Sequence, residues 1–262
     1  MTNTPMTMPI LFVGHGSPMN AIEDNEYSRG WAKIANRIPR PKAILSISAH
    51  WYTQGSRISD TPHPKTIYDM YGFPDELYQV KYLVSGSPEL AHATQELIKR
   101  PVIVDNDWGC DHGTWSVLCK MYPQADIPVV QLSVDRDAGP AEHFQIGQEI
   151  SSLREQGVLI FASGNVVHNL AKIDWRMDGG HPWAVEFDHY IKGKVAARQY
   201  DDVINYEQAG QSAKLAFFTP EHFYPLLYIL GASREDDKLM VSNDSCTLGS
   251  LSMTSYLFEA QG

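Results

Sequence analysis

Ile10-Leu11-Phe12-Val13-Gly14-His15-Gly16-Ser17-Pro18 is an uninterrupted apolar run that ends on a histidine set between two glycines. A run of this length, bounded by Gly and Pro, reads as a strand buried on both faces, the pattern of a central strand in an α/β sheet. His15 then stands at the carboxyl end of that strand. Open α/β sheets bind their ligands there, and flanking glycines let backbone approach a ligand closely. Taken alone, such a histidine is as consistent with a simple turn as with a site.

The pattern recurs. Ala43-Ile44-Leu45-Ser46-Ile47-Ser48 reads as a second buried strand running into Ala49-His50-Trp51, and Val158-Leu159-Ile160-Phe161-Ala162 as a third, followed by Ser163-Gly164-Asn165-Val166-Val167-His168. A fourth histidine, His222, follows Thr219-Pro220, where Thr is a good helix cap and Pro a good first helical residue. By the same rule Asn165 predicts a helix with His168 in its first turn. Both rings would then lie where the helix dipole disfavours imidazolium. Neutral imidazole is the form that binds metal or accepts a proton.

The 262 residues, 43% hydrophobic and 20% charged, suffice for one large domain spanning 1–262. A formal net charge of −10 argues against nucleic-acid or anionic-membrane partners, which need clustered Lys and Arg. Three cysteines, Cys110, Cys119 and Cys246, form no C-x-x-C pair and suit a reducing compartment. Residues 1–9 carry no Lys or Arg, and no run approaches the roughly 18 apolar residues of a membrane span. A cytoplasmic protein, monomeric or a small homo-oligomer, is expected.

Helices are predicted over Asn25 to Arg37, from Ser87-Pro88 to Pro101, over Trp115 to Tyr122, Pro140 to Gln156, Trp183 to Arg198 and Pro220 to Leu230, the last stopped by Gly231. Strands are predicted at Val102 to Val104, Pro128 to Val134, Leu215 to Phe218, Leu239 to Val241 and Thr247 to Leu257. Strands and helices alternating along the whole chain imply a three-layer αβα domain with a mixed, mainly parallel central sheet. Asp111-His112 falls on a strand-to-helix loop, where the carboxylate could orient the ring.

Tyr52 to Gly86 lacks a regular period, and a long loop in a compact domain is usually functional. Its Ile67-Tyr68-Asp69-Met70-Tyr71-Gly72-Phe73-Pro74 stretch places Tyr71 and Phe73 as rings to pack on a flat apolar ligand. A hydrophobic cluster beneath the loop is the alternative. His181, in Gly179-Gly180-His181-Pro182, is a candidate for the cleft wall. His63, His92, His143 and His189 read as structural or solvated. His15, His50, His168 and His222, with His112, make a metal-site candidate, although imidazole alone does not choose between Zn, Fe, Cu and Ni.

Gly14-His15-Gly16-Ser17-Pro18, Ser48-Ala49-His50-Trp51, the Ile67–Pro74 stretch, Asp111-His112-Gly113, Gly164-Asn165-Val166-Val167-His168-Asn169 and Thr219-Pro220-Glu221-His222-Phe223 together resemble the 4,5-DOPA extradiol dioxygenase family, its enterobacterial member in particular. That family belongs with the class III extradiol ring-cleaving dioxygenases, alongside the protocatechuate 4,5-dioxygenase catalytic subunit. The resemblance runs from about Pro9 to Leu257. It implies an αβα fold and one divalent metal, Fe(II) for activity with Zn(II) fitting the same ligands, and no flavin, haem or nicotinamide. It further implies a catechol and O2 as substrates and His15, His50 and His222 as metal ligands. His168 would be an acid/base able to reach the metal, and His112 a hydrogen-bonding partner of oxygen or substrate.

One departure matters: the protocatechuate enzymes use two histidines and a glutamate, whereas the matching position here is His222, with Glu221 beside it. Cys110 also stands where relatives carry an aliphatic residue. A three-histidine site resembles catalytic zinc as much as an oxygenase. A zinc hydrolase is therefore one rival, although no H-E-x-x-H occurs and only Glu221 or Asp111 offers a general base. A non-catalytic metal- or catechol-binding protein is the other.

Overall fold

The computed structural model describes residues 7–261, so the leader expectation for residues 1–9 lies largely outside the described span. In chain order the strands are β1 (Ile10–Gly14), β2 (Ala43–Thr53), β3 (Ser56–Ile58), β4 (Val102–Val104), β5 (Val129–Asp135), β6 (Val158–Gly164), β7 (Lys238–Ser242), β8 (Cys246–Thr247), β9 (Leu251–Ser252) and β10 (Ser255–Glu259). The helices are α1 (Glu26–Arg37), α2 (Asp75–Tyr78), α3 (Pro88–Leu97), α4 (His112–Met121), α5 (Pro140–Ile150), α6 (Pro182–Ala196), α7 (Tyr200–Ile204), α8 (Gln211–Ala216) and α9 (Tyr224–Ala232).

Eight strands form one mixed sheet in the order β4-β3-β5-β2-β6-β1-β10-β7, and β8 pairs with β9 in a small ladder of its own. Its centre, β5-β2-β6-β1, is wholly parallel, and β10 and β7 add an antiparallel edge. Every residue of β1, β5 and β6 is buried, as continuous apolar runs covered on both faces require. Alternation splits β1 between the layers. Leu11 and Val13 pack with Trp31 of α1 and Trp115 of α4 on one face. Ile10 and Phe12 pack with Ile146 of α5 and Leu226 and Tyr228 of α9 on the other. This is the αβα sandwich expected from the alternation of elements.

Parallel pairing brings the carboxyl ends of β1, β2 and β6 to one edge. Val13 and Ser48 both stand opposite Ser163 in register. That alignment puts His15, His50 and the chain leading to His168 side by side, although they are far apart in sequence.

Several local expectations fail for identifiable reasons. Leu215–Phe218 is not a strand, because α8 runs to Ala216 and Phe217 makes only a single bridge, to His168. Pro220–Leu230 is not one helix: Pro220–His222 is a 3-10 turn and α9 starts afresh at Tyr224. Pro225 has no N–H and its ring collides with the carbonyl four residues back, so it is tolerated only in a first turn. Gly231 does not stop α9, which continues to Ala232. A β-carbon there would strike the Phe144 carbonyl oxygen, so the glycine serves the close approach of α9 to α5.

Asn165 caps no helix. Its buried side-chain amide donates to the Ser252 carbonyl at 2.7 Å, and His168 sits in extended backbone bridged to Phe217 and Leu251. α4 begins three residues earlier than expected, with His112 as its first residue and Asp111 as its cap, accepting from the Thr114 N–H at 3.1 Å. His50 lies inside β2, at an irregularity between Ser48 and Tyr52, rather than beyond its end. The Tyr52–Gly86 segment holds β3 and α2, elements too short to impose a period.

Candidate active site at the carboxyl edge of the sheet

The sequence supplies ten imidazoles and the fold gathers five of them, His15, His50, His112, His168 and His222. Ring centroids lie 5.0 Å apart for His15 and His50, 5.3 Å for His15 and His222, 4.9 Å for His50 and His222, and 3.9 Å for His50 and His112. His168 lies flat on His222, centroids 3.5 Å apart and planes 4° from parallel.

Hydrogen bonding fixes the tautomer of three of these rings. The Ser163 hydroxyl donates its one hydrogen to the Gly113 carbonyl at 2.6 Å, so at 2.9 Å it accepts from Nδ1 of His15. Nδ1 of His50 is 3.0 Å from Oδ2 of Asp69, and Nδ1 of His222 is 3.1 Å from Oε1 of Glu221. With each Nδ1–H held by an acceptor, the Nε2 lone pairs are left to face one another. Nε2 of His222 is buried without a partner. Nε2 of His15 and Nε2 of His50 approach to 3.1 Å.

Two lone pairs at that distance require a cation between them. A proton can serve: burial works to lower His50, but hydrogen bonding and charge from Asp69 outweigh it and raise that ring above its usual value. A metal serves better, because it also satisfies His222. At a metal–nitrogen distance of about 2.1 Å, two imidazole ligands in octahedral to tetrahedral arrangement lie roughly 3.0–3.4 Å apart. One nitrogen from each of His15, His50 and His222 falls within 4.8 Å of the others. This donor set fits a divalent ion.

The remaining rings are held neutral. Burial first, then charge on His50, His112 and His168, pushes His15 well down. Burial first, then His168 and His50, does the same to His222. His168 falls to about 3, through burial and then His50 and His112, so its neutrality owes nothing to a helix dipole. Among the described residues neither ring nitrogen of His168 has a protein partner. His112 is lowered by burial and by His50, and its Nδ1 lies 3.0 Å from Oδ1 of Asp69 but out of line for a hydrogen bond.

Asp69 is the residue sequence reasoning missed. Burial opposes its charge, but His112 and His50 overcome it and hold the carboxyl well below the usual carboxylate range. It takes the orienting role expected of Asp111, which instead accepts hydrogen bonds from Ser48, Trp108 and Gln131 beneath the site. The signal was available: Asp69 is the one acid in the aromatic Ile67–Pro74 stretch. Gly113 matters for the same reason of space, since a β-carbon there would lie 2.8 Å from Cδ2 of His50.

The other sequence candidates have their own surroundings. Tyr71 is 92% exposed, and Phe73 is half-buried against the core on the α1 and α4 side. His181 stacks on Trp183 with centroids 5.8 Å apart, and its Nε2 is 3.2 Å from the Lys172 carbonyl. His63, His92 and His189 are exposed, whereas His143 is fully buried within α5.

Fold and site together define an α/β protein with a largely buried three-histidine cluster at the carboxyl edge of its sheet. The chain belongs to the LigB family: the family model described as the catalytic LigB subunit of aromatic ring-opening dioxygenase matches residues 9–259. It is 45% identical to the 4,5-DOPA dioxygenase extradiol of Escherichia coli K12, over 95% of this chain and 93% of that one. It is 41% identical to the 4,5-DOPA dioxygenase extradiol of Beta vulgaris, over 94% and 95%. A crystal structure of an uncharacterized Escherichia coli K12 protein superposes with a TM-score of 0.84 at 42% identity, covering 95% of this chain and 99% of that one. This chain is accordingly a dioxygenase of the LigB family. Among its described residues no helix is long and apolar enough to cross a membrane.

Proposed function

We propose that this protein opens the ring of a catechol of the L-DOPA type by extradiol cleavage, using O2 and one Fe(II) held by Nε2 of His15, His50 and His222. One observation carries the reading: two buried imidazoles, His15 and His222, and the partly buried His50 have their Nδ1 atoms tied to Ser163, Glu221 and Asp69, leaving their Nε2 lone pairs turned to a common centre. The names of the Escherichia coli and Beta vulgaris relatives support the substrate and the mode of cleavage. Fe(II), when bound, supplies the one-electron chemistry that lets a singlet catechol react with triplet O2.

The chain's own residues do the rest. His168 presents a neutral ring, one nitrogen of which carries a lone pair free to accept a hydrogen bond from a catechol hydroxyl. Once it has taken that proton, its low basicity makes it a strong donor for returning the proton during ring opening. His112, whose backbone N–H donates to Oδ1 of Asp69 at 3.0 Å, presents a second ring to the same space. The stacking of His168 on His222 fixes the distance between proton acceptor and metal ligand.

The test is anaerobic reconstitution with Fe(II), followed by L-DOPA and then O2. One O2 consumed per catechol, with a yellow semialdehyde product, is expected. Zn(II) loading should give tight catechol binding and no O2 uptake. Ester or amide hydrolysis by the Zn(II) protein, with no O2 uptake by the Fe(II) protein, would overturn the reading in favour of a hydrolase.

A further inference from the structure

The histidine cluster accounts for a catechol ring but not for what the ring carries. Beside it an open groove of about 400 Å³ is lined by Tyr206, Glu207, Lys214, Phe217, Phe218 and Pro220. The groove is tied to the cluster through the chain. Phe217 bridges to His168, whose N–H donates to the Ala216 carbonyl at 2.8 Å. Pro220 is two residues from His222, within about 7 Å along the backbone.

Its walls are aromatic. Tyr206, Phe217 and Phe223 pack with centroids 4.9 to 5.5 Å apart, and Phe223 directly follows His222. Phe218 is 94% exposed, a large ring left in water at the groove's edge. Two opposite charges, Glu207 and Lys214, also line it. Nearby lysines are paired, Lys192 with Asp244 at 2.6 Å and Lys194 with Asp202 at 2.7 Å. Among the described residues neither Lys214 nor Glu207 has a side-chain partner, and they do not pair with each other.

We propose that this groove is a subsite for the tail of the aromatic substrate and selects a zwitterionic one, with Lys214 Nζ donating to a carboxylate and the Glu207 carboxylate accepting from an ammonium. The inference rests on the ring-opening reading above and adds to it the two residues that set tail specificity. Phe217 and Phe218 flank the short carbon linker between ring and charges. A tail of either single charge satisfies one of the two residues. An uncharged tail satisfies neither.

Four catechols with the same ring separate the contributions: L-DOPA, dopamine, 3-(3,4-dihydroxyphenyl)propionate and 4-ethylcatechol. Dissociation constants are measured on the Zn(II)-loaded protein under argon, and kcat/KM on the Fe(II) protein. Lys214→Met should lower the preference for L-DOPA and the propionate over 4-ethylcatechol about tenfold, the worth of one charge-assisted contact, while keeping the preference for dopamine. Glu207→Gln should do the converse. Preference ratios that stay within about twofold, or both substitutions shifting all four ligands alike, would overturn the subsite, as would a Zn(II) protein that binds none of the four. If the Fe(II) protein opens no ring while the binding ratios shift as expected, the subsite stands and the ring-opening reading falls.

Discussion

The two ends of the central sheet bury polar groups in opposite ways. At the amino ends of β1, β6 and β7, Arg154 is fully buried with a partner on each nitrogen. Nε donates to the Met8 carbonyl at 2.8 Å, Nη1 to the Ala232 carbonyl at 3.0 Å, and Nη1 and Nη2 to the two Asp237 oxygens at 2.8 and 2.7 Å. At the carboxyl ends of β1, β2 and β6, buried imidazoles keep unsatisfied lone pairs pointed at one another. The first arrangement ties three chain segments together. The second leaves a desolvation cost outstanding, which a bound cation would relieve. A buried polar cluster thus reads as structure when its valences close within the chain, and as a site when they converge on space.

Breaking the closed end should have the largest effect. Arg154→Met strands the Asp237 carboxylate without its partner, which costs about 3–5 kcal/mol, or roughly 6–20 °C in melting temperature for a chain of this size. A thermal melt of the metal-free protein checks this. Adding Asp237→Leu should recover most of the loss, since an apolar pair of similar volume restores packing with no orphaned charge. Metal affinity of the folded fraction should hardly move.

His143 sharpens the comparison, because it also has a buried, unpartnered Nε2 but no other lone pair converges on it. Its Nδ1 is 3.0 Å from the Tyr228 hydroxyl. Burial lowers the ring to about 4 from a usual 6.5, against the opposing charges of Asp135 and Glu142. Between those values the unfolded chain takes up a proton that the native ring refuses. Stability is therefore full above pH 6.5 and falls as pH drops toward 4, by about 3 kcal/mol from this group. Denaturant titrations of wild type and His143→Gln at pH 7 and pH 4.5 should differ by most of that amount. Equal slopes with pH would place the linkage elsewhere.

The smallest of the three effects is at the open end. Asp69→Asn keeps the shape of the side chain that meets His50 and His112, both at 3.0 Å, but removes its charge. Metal affinity, read by chelator competition, should fall about 10–100-fold, as is usual when the partner of a ligating histidine is changed. The melting temperature of the metal-free protein should move by far less than in Arg154→Met. The reverse ranking, a collapse of stability with affinity intact, would make Asp69 a structural residue and erase the contrast between the two ends.

Much of this was legible in the chain. Continuous apolar runs at Ile10–Val13, Ala43–Ser48 and Val158–Ala162 specify strands covered on both faces, because period and burial are local properties of the sequence. The place of His15 beyond β1 follows directly, and alternation of elements gives the αβα layers. Pairing between segments was not legible. That Asp69, from an aperiodic stretch, would serve His50 and His112 depends on where a long loop comes to rest. The seat of His168 is not decided by the sequence, because Asn165 has two uses for its amide, capping a helix or bonding Ser252, and only packing chooses the second. Pro225 was in view, but its consequence, a fresh helix after His222, depended on the carbonyl four residues back. Sequence thus determined which residues can do chemistry and on which edge of the sheet they lie. Tertiary structure decided which nitrogen of each ring faces inward, because that choice belongs to acceptors such as Ser163 and Asp69, drawn from distant parts of the chain.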